Sequence, residues 1–107
     1  MRLPEARSKA DHVVTGVVTA VHASETADYR NFVVEIKVEQ VEKGAGFKPG
    51  DTFRATCYQR KEGAADRGPD DAGHKLVPKV GQRVKAYVKA DGEAIYPDWI
   101  DILKPAR

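Results

Sequence analysis

Residues 32–58 constrain the fold of this chain more than any other stretch. Apolar side chains occupy every second position from Phe32 to Val38, which is the period of a strand with one buried face and one solvated face. The same alternation resumes at Phe53. The intervening residues 43–51 hold three glycines and a proline, the residue types that permit positive φ and preset a tight turn. The pattern predicts two twisted antiparallel strands joined by this turn.

Three more strands are predicted around this pair. Residues 12–22 are rich in β-branched side chains, and Gly16 in their middle indicates a bulge or a bend. Residues 82–90 alternate apolar and polar side chains. Residues 93–103 form the fifth strand, and Pro97 indicates that it is bent or lies at an edge. No run predicts a helix of three turns or more, so the chain is predicted to be all-β, a small five-stranded antiparallel barrel.

The predicted loops differ in length and in meaning. The polar residues 23–30 predict a hairpin loop, and Asp91-Gly92 predicts a tight turn because both positions tolerate positive φ. A break in the alternation predicts a bulge near Gln40. Residues 59–75 lack apolar periodicity and exceed the ~12–15 residues of a plain loop, so this long loop between strands 3 and 4 is predicted to be functional or disordered. We expect it to form part of the working surface, because a rigid barrel presents a long loop at little cost.

The inward faces of these strands predict a dry core. It includes Phe32, Ile36, Phe53 and Val84. Trp99 is predicted to plug one end of the barrel. The alternative is that it lines a recognition groove with Tyr29 and Tyr96, because aromatic residues concentrate at interfaces.

The excess charge lies at one end of the chain. The formal net charge of +2 falls on residues 1–10, and the remaining 15 basic residues are matched by 15 acidic ones. Because a general electrostatic grip on nucleic acid shows as a basic domain, this balance argues against it. Residues 1–10 are predicted to form a flexible arm and residues 11–104 a single barrel domain. No apolar run approaches the ~20 residues of a membrane helix, so no membrane span is predicted.

Four short stretches follow one another in an order known from a protein family. They are ADHVVTGVV at 10–18, VEQVEKG at 38–44, PGD at 49–51 and LVPKVG at 76–81. Together they resemble the OB-fold, in particular its netrin-like or metalloprotease-inhibitor-like branch. The resemblance implies an OB-like five-stranded barrel. Those domains usually carry cysteine pairs, a cysteine-led inhibitory terminus and a helix between strands 3 and 4, none of which this sequence shows, so protease inhibition is not implied.

A candidate binding surface lies on the predicted outer faces of strands 3 and 4. Its residues are Arg54, Tyr58, Arg60, Lys85, Tyr87 and Lys89. Cations interleaved with aromatic rings suit single-stranded nucleic acid, because the cations contact phosphates and the rings stack on bases. The competing interpretation is a solvated face whose lysines pair with Glu35 and Glu39 across strands. The balanced charge of the body favours the second interpretation.

Metal binding finds little support in the sequence. His12, His22, His74 and Cys57 are metal-capable, but no pair has zinc-site spacing, and surface histidines are the simpler interpretation. The loop aspartates Asp66, Asp70 and Asp71 lack the calcium-loop pattern and are predicted to be solvated.

Catalysis and cofactor binding find no support either. Cys57 lies on the apolar side of its strand, where burial makes a thiol inert. Neither serine occurs in a nucleophile motif, and no glycine-rich phosphate loop is present. A single cysteine permits no intramolecular disulfide and indicates no compartment.

These observations predict a non-enzymatic OB-like binding or accessory module without a cofactor, either alone or as one domain of a larger protein. Its expected partner is another protein or a domain of a parent chain. One alternative is a domain that binds single-stranded nucleic acid. The other is an extracytoplasmic domain that binds a metal or a small ligand.

Overall fold

A computed structural model describes residues 8–60, 73–74, 76–95 and 98–103. They form one sheet in the order β3-β2-β1-β4-β5, with every neighbouring pair antiparallel and almost no helix. The strands are β1 (His12–Glu25), β2 (Tyr29–Lys43), β3 (Thr52–Arg60), β4 (Arg83–Val88) and β5 (Ile100–Leu103). The predicted all-β class and the five antiparallel strands are confirmed. No ladder joins β3 to β5, so the sheet is open and the predicted barrel is not confirmed.

The β1–β2 hairpin is longer than predicted. Ser24 pairs with Asn31 and Glu25 with Arg30, so most of the predicted loop at 23–30 belongs to the two strands. These residues are polar because this end of the hairpin is exposed, and their composition therefore resembles that of a loop. An ion pair between Arg30 Nε and Glu25 Oε1 at 2.8 Å spans the strand ends.

The fifth strand is shorter than predicted. It begins at Ile100 instead of residue 93, while Glu93 and Ala94 form only isolated bridges, a parallel one to Thr56 and an antiparallel one to Val88. Tyr96 and Pro97, on which the predicted bend depended, lie outside the described residues.

Bulges bend the β1–β2 ladder where the sequence predicted them. Thr15 pairs with Gln40 and Gly16 with Val38, so Glu39 has no partner of its own on β1. This register shift confirms the predicted irregularities at Gly16 and near Gln40. A bulge strengthens local twist, and this one lies at residues 13–17, where β1 pairs with β2 on one side and with β4 on the other.

The two predicted turns are both present. In the segment at 43–51, Gly44, Gly46 and Gly50 all take positive φ, as predicted. In the turn after β4, the amide of Gly92 donates to the carbonyl of Lys89 at 2.9 Å. Gly92 has positive φ there and Asp91 does not, so the turn uses only one of the two positions that tolerate it.

The core lies on the inward face of the sheet. Ile36, Phe53 and Val84 are buried as predicted, whereas Phe32 is half-buried at the edge of the cluster. Trp99 is fully buried, which confirms its core position and removes it from any surface groove. The largest fully buried side chains are Trp99, Ile36, His74, Val14, Val18, Val34, Val84 and Val88. The helices of the described residues include none long and apolar enough to cross a membrane.

Candidate functional site

The strand order divides the predicted binding surface into two groups. Strands β1 and β2 lie between β3, which carries Arg54, Tyr58 and Arg60, and β4, which carries Lys85 and Tyr87. Lys89 follows β4 and is exposed. The six residues therefore form two separate groups of three, which we call the β3 group and the β4 group. They do not form one continuous surface of cations and aromatic rings.

Glu35 pairs with Arg54 of the β3 group. Its carboxylate lies between two side chains, with Oε2 at 2.5 Å from His22 Nε2 and Oε1 at 3.6 Å from Arg54 Nη2. The Arg54 side chain is 65% exposed, so this pair adds little stability, but it places a negative charge beside the guanidinium. The neighbouring rings of Tyr29 and Tyr58 meet edge to face with centroids 5.7 Å apart.

In the β4 group, Lys85 is paired with a carboxylate in the same way. Lys85 Nζ lies 2.8 Å from Glu42 Oε2, and this hydrogen bond raises the pKa of Lys85. Arg83 Nε lies 2.8 Å from Glu39 Oε1. Cross-strand ion pairs are present, but the predicted lysine partners are wrong: Glu35 and Glu39 bond Arg54 and Arg83, and Lys85 bonds Glu42. Cations held by carboxylates are less available to phosphates, so nucleic acid is the less supported ligand.

The three histidines lie in unrelated environments. His12 packs edge to face on Phe47 with ring centroids 5.0 Å apart, His22 is exposed beside Glu35, and His74 is only 2% exposed. The predicted surface location is therefore wrong for His74. No group of three metal-capable side chains occurs in the part of the chain that the structure describes. Asp66, Asp70 and Asp71 lie outside that part.

His74 is an anchor for the end of the long connection between β3 and β4. The amide of Tyr58 donates to its Nδ1 at 3.1 Å, and its Nε2 lies 3.0 Å from the carbonyl oxygen of Ala94. An amide can only donate and a carbonyl can only accept, so Nδ1 accepts and Nε2 donates in these two contacts. Most of the segment at 59–75, namely 61–72 and 75, lies outside the described residues. No periodic signal could reveal one buried histidine in a polar run.

The Cys57 thiol is inert in the folded chain. Its side chain is 4% exposed, and burial raises its pKa to about 12 from the ordinary value of 9.0. Because the folded pKa exceeds the unfolded one, this group's contribution to stability is complete below pH 9.0 and is lost as pH rises toward about 12. We expect a disulfide reagent such as DTNB to leave the native protein unlabelled at pH 8 and to label it fully in urea. Rapid stoichiometric labelling of the native protein would contradict this burial.

An apolar groove of about 440 Å³ lies where β1, β4 and β5 meet. Val17, Ile102 and Leu103 supply its apolar lining, and the Arg83–Glu39 ion pair lies at one wall. Ile102 is 42% exposed, a large value for a side chain of this size. Contiguous exposed apolar surface of this kind marks interaction sites in soluble proteins.

The outer edge of β5 lies beside this groove. The Tyr87 amide of β4 donates to the Trp99 carbonyl. Lys85 and Asp101 form the pair two residues further along each strand. The backbone N–H and C=O of Asp101 therefore also point to β4. Since strand residues alternate in direction, the N–H and C=O of Ile102 point away from β4. No ladder covers that edge within the described ranges.

Comparison with protein-family models finds no match to this sequence. Comparisons with curated proteins and with solved structures find no match either.

Proposed function

We propose that this chain is a non-enzymatic, OB-like binding module that captures an extended segment of a partner protein by strand addition at β5. The observation that carries the proposal is the β5 edge, which is unpaired within the described residues and lies beside an exposed apolar groove. An unpaired edge presents backbone donors and acceptors that match those of an extended peptide.

The OB-like architecture is supported by the connections around β1. Residues 13–17 of this strand pair with β2 on one side and with β4 on the other, and its bulges supply the bend. Of two isolated bridges in the segment after β4, Val88 to Ala94 holds that segment beside β4, and Thr56 to Glu93 brings it against the outer edge of β3. These contacts support a closing barrel, in which a short crossing segment replaces a full ladder.

The two sheet edges differ in availability. Thr56 on β3 already exchanges backbone hydrogen bonds with Gly92 and Ala94, and the Tyr58 carbonyl accepts from the His74 amide. The edge of β3 is thereby occupied over its middle. The β5 edge has no such cover among the described residues, so it is the edge that a partner strand would use.

The groove provides the selectivity that a bare edge lacks. Main-chain pairing supplies affinity without sequence preference, and pockets for alternate side chains supply specificity. An apolar side chain of the added strand would contact Ile102 on one face of the sheet, whereas Leu103, Arg83 and Glu39 lie on the other face, where the ion pair accommodates polar neighbours. We therefore expect peptides with alternating apolar residues to be preferred.

Selection of random displayed peptides on the 107-residue chain tests this function. Ile102→Pro removes an N–H that points to the free edge and leaves the β4 ladder complete, so the fold should persist and peptide binding should be lost. Ile102→Ala keeps the N–H and removes groove contacts, so it should weaken binding by about tenfold. Binding is measured by fluorescence polarisation of the selected peptides.

Asp101→Pro is the control for the direction of the backbone. Its N–H points to β4, so this variant should lower the thermal midpoint, unlike Ile102→Pro. Failure of the library to yield any binder would overturn the proposal. Equal binding of selected peptides to Ile102→Pro and to the parent chain would overturn it as well.

A further inference from the structure

A second concave site lies at the far end of the β1–β2–β3 region from the groove. This cleft has a volume of about 200 Å³. Ser24, Asn31, Val33 and Tyr58 share the outer face of the sheet at this cleft, with Val33 and Tyr58 as its apolar part, whereas the side chains of Phe32 and Cys57 point to the inward face. At about 30 Å³ per liquid water, it holds roughly six waters or one linear ligand of about as many heavy atoms.

The position of Glu93 at this cleft is fixed by backbone contacts. Its amide donates to Asp91 Oδ1 at 2.9 Å, and its carbonyl accepts from the Lys89 amide at 2.8 Å. The parallel bridge to Thr56 places it against β3. Its carboxylate is therefore presented at the cleft from a held turn.

Polar side chains at the cleft are uncommitted. Within the described part of the chain, no hydrogen bond or ion pair engages the Ser24 hydroxyl, the Asn31 amide group or the Glu93 carboxylate. Tyr58 and His74, by contrast, are engaged with each other, with ring centroids 5.1 Å apart. The cleft thus combines a rigid wall with three side chains whose hydrogen-bonding capacity is available to a ligand.

The charge of the cleft indicates the sign of that ligand. Glu93 is the one carboxylate among the described residues that line the cleft, and the Nδ1 atom of His74 already accepts a hydrogen bond from the Tyr58 amide. A single negative charge beside an aromatic ring favours a cation, because both the carboxylate and the ring face attract positive charge. The apolar floor suits a hydrocarbon stem.

We propose that this cleft binds a primary ammonium group on a short aliphatic stem, with Glu93 pairing the ammonium and the stem lying against Tyr58 and Val33. Asn31 and Ser24 supply acceptors for the remaining ammonium hydrogens. A lysine side chain of a peptide and a free small amine share this chemistry. This site does not depend on the β5 edge.

Titration of the ¹⁵N-labelled chain with n-butylammonium tests the proposal. Saturable amide shifts are expected at Glu93, Thr56 and Tyr58, with a dissociation constant of about 1–10 mM, which suits a ligand this small. Neutral n-butanol and anionic butyrate at equal concentration should give no saturable shift there. Glu93→Gln should weaken butylammonium binding by about tenfold or more because it removes the charge and keeps the shape.

Glu42→Gln is the charge-matched control, because it removes one carboxylate from the β4 group and should leave butylammonium binding unchanged. Nα-acetyl-lysine methylamide separates the two sources: binding equal to that of butylammonium indicates a peptide lysine, and weaker binding indicates a free amine. No saturation up to about 100 mM amine, equal shifts with n-butanol, or unchanged binding by Glu93→Gln would each overturn the proposal.

Discussion

Gly16→Ala should destabilise the fold by about 3 kcal/mol or more, although alanine is the better residue for an ordinary strand. A Cβ at this position would lie 2.1 Å from the carbonyl oxygen of Lys37 and 2.8 Å from Ile36 Cγ2. The first contact is with backbone of the paired strand, so no side-chain rotation relieves it. The β1–β2 ladder must separate or the bulge must be lost.

Urea unfolding followed by circular dichroism measures the effect. Gly46→Ala is the control, because its Cβ would meet nothing within 4 Å while its φ of +94° strains any other residue. We expect that variant to lose about 1 kcal/mol, the cost of a left-handed backbone alone. A loss below about 1 kcal/mol for Gly16→Ala would show that the hairpin absorbs the methyl group, against the close packing of this ladder.

Trp99→Ala should be comparably severe, with a loss of about 3–5 kcal/mol. Trp99 is among the largest fully buried side chains, and its Nε1 donates to the carbonyl oxygen of Leu76 at 2.9 Å. That bond ties the connection before β4 to the core. Trp99→Phe keeps much of the ring volume but leaves the Leu76 carbonyl without its donor, so we expect a smaller loss of about 1–3 kcal/mol.

Circular dichroism is the measurement for these variants too, since they remove the one tryptophan of the chain. Leu76→Ala is the matched control, because it retains the accepting carbonyl and changes a side chain that is already exposed. It should shift the unfolding midpoint little. If Trp99→Phe were as stable as the parent, the indole hydrogen bond would make no net contribution to the free energy of unfolding.

The candidate sites were only partly predictable from the sequence. The inert thiol of Cys57 follows from local alternation, because a strand residue shares its face with its second neighbours. The pairing of Arg54 with Glu35, and of Lys85 with Glu42, depends on which strands are neighbours. Strand alternation predicts which face of the sheet a residue occupies. It does not predict which residues of the neighbouring strands lie next to it.

The available β5 edge and the Glu93 cleft were not predictable in this way. The β5 edge depends on the absence of a neighbouring strand among the described residues, and the Glu93 cleft depends on the presence of one. The single bridge at Glu93 is too short to produce a periodic pattern in the sequence. His74 carries no signal either, since the groups that fix it, the Tyr58 amide and the Ala94 carbonyl, are backbone atoms available at every residue.

By itself the sequence determined the all-β class, the inward-facing residues of β2, β3 and β4, the bulges near Gly16 and Gln40 and the glycine turn at 43–51. These features are local, because side-chain alternation and backbone φ preferences act over a few residues. Tertiary structure alone decided the strand order, the free edge, the partners of the cations and the burial of His74. Those depend on contacts between residues far apart in the chain, such as β1 with β4, and the free energy of such contacts is set by the assembled sheet.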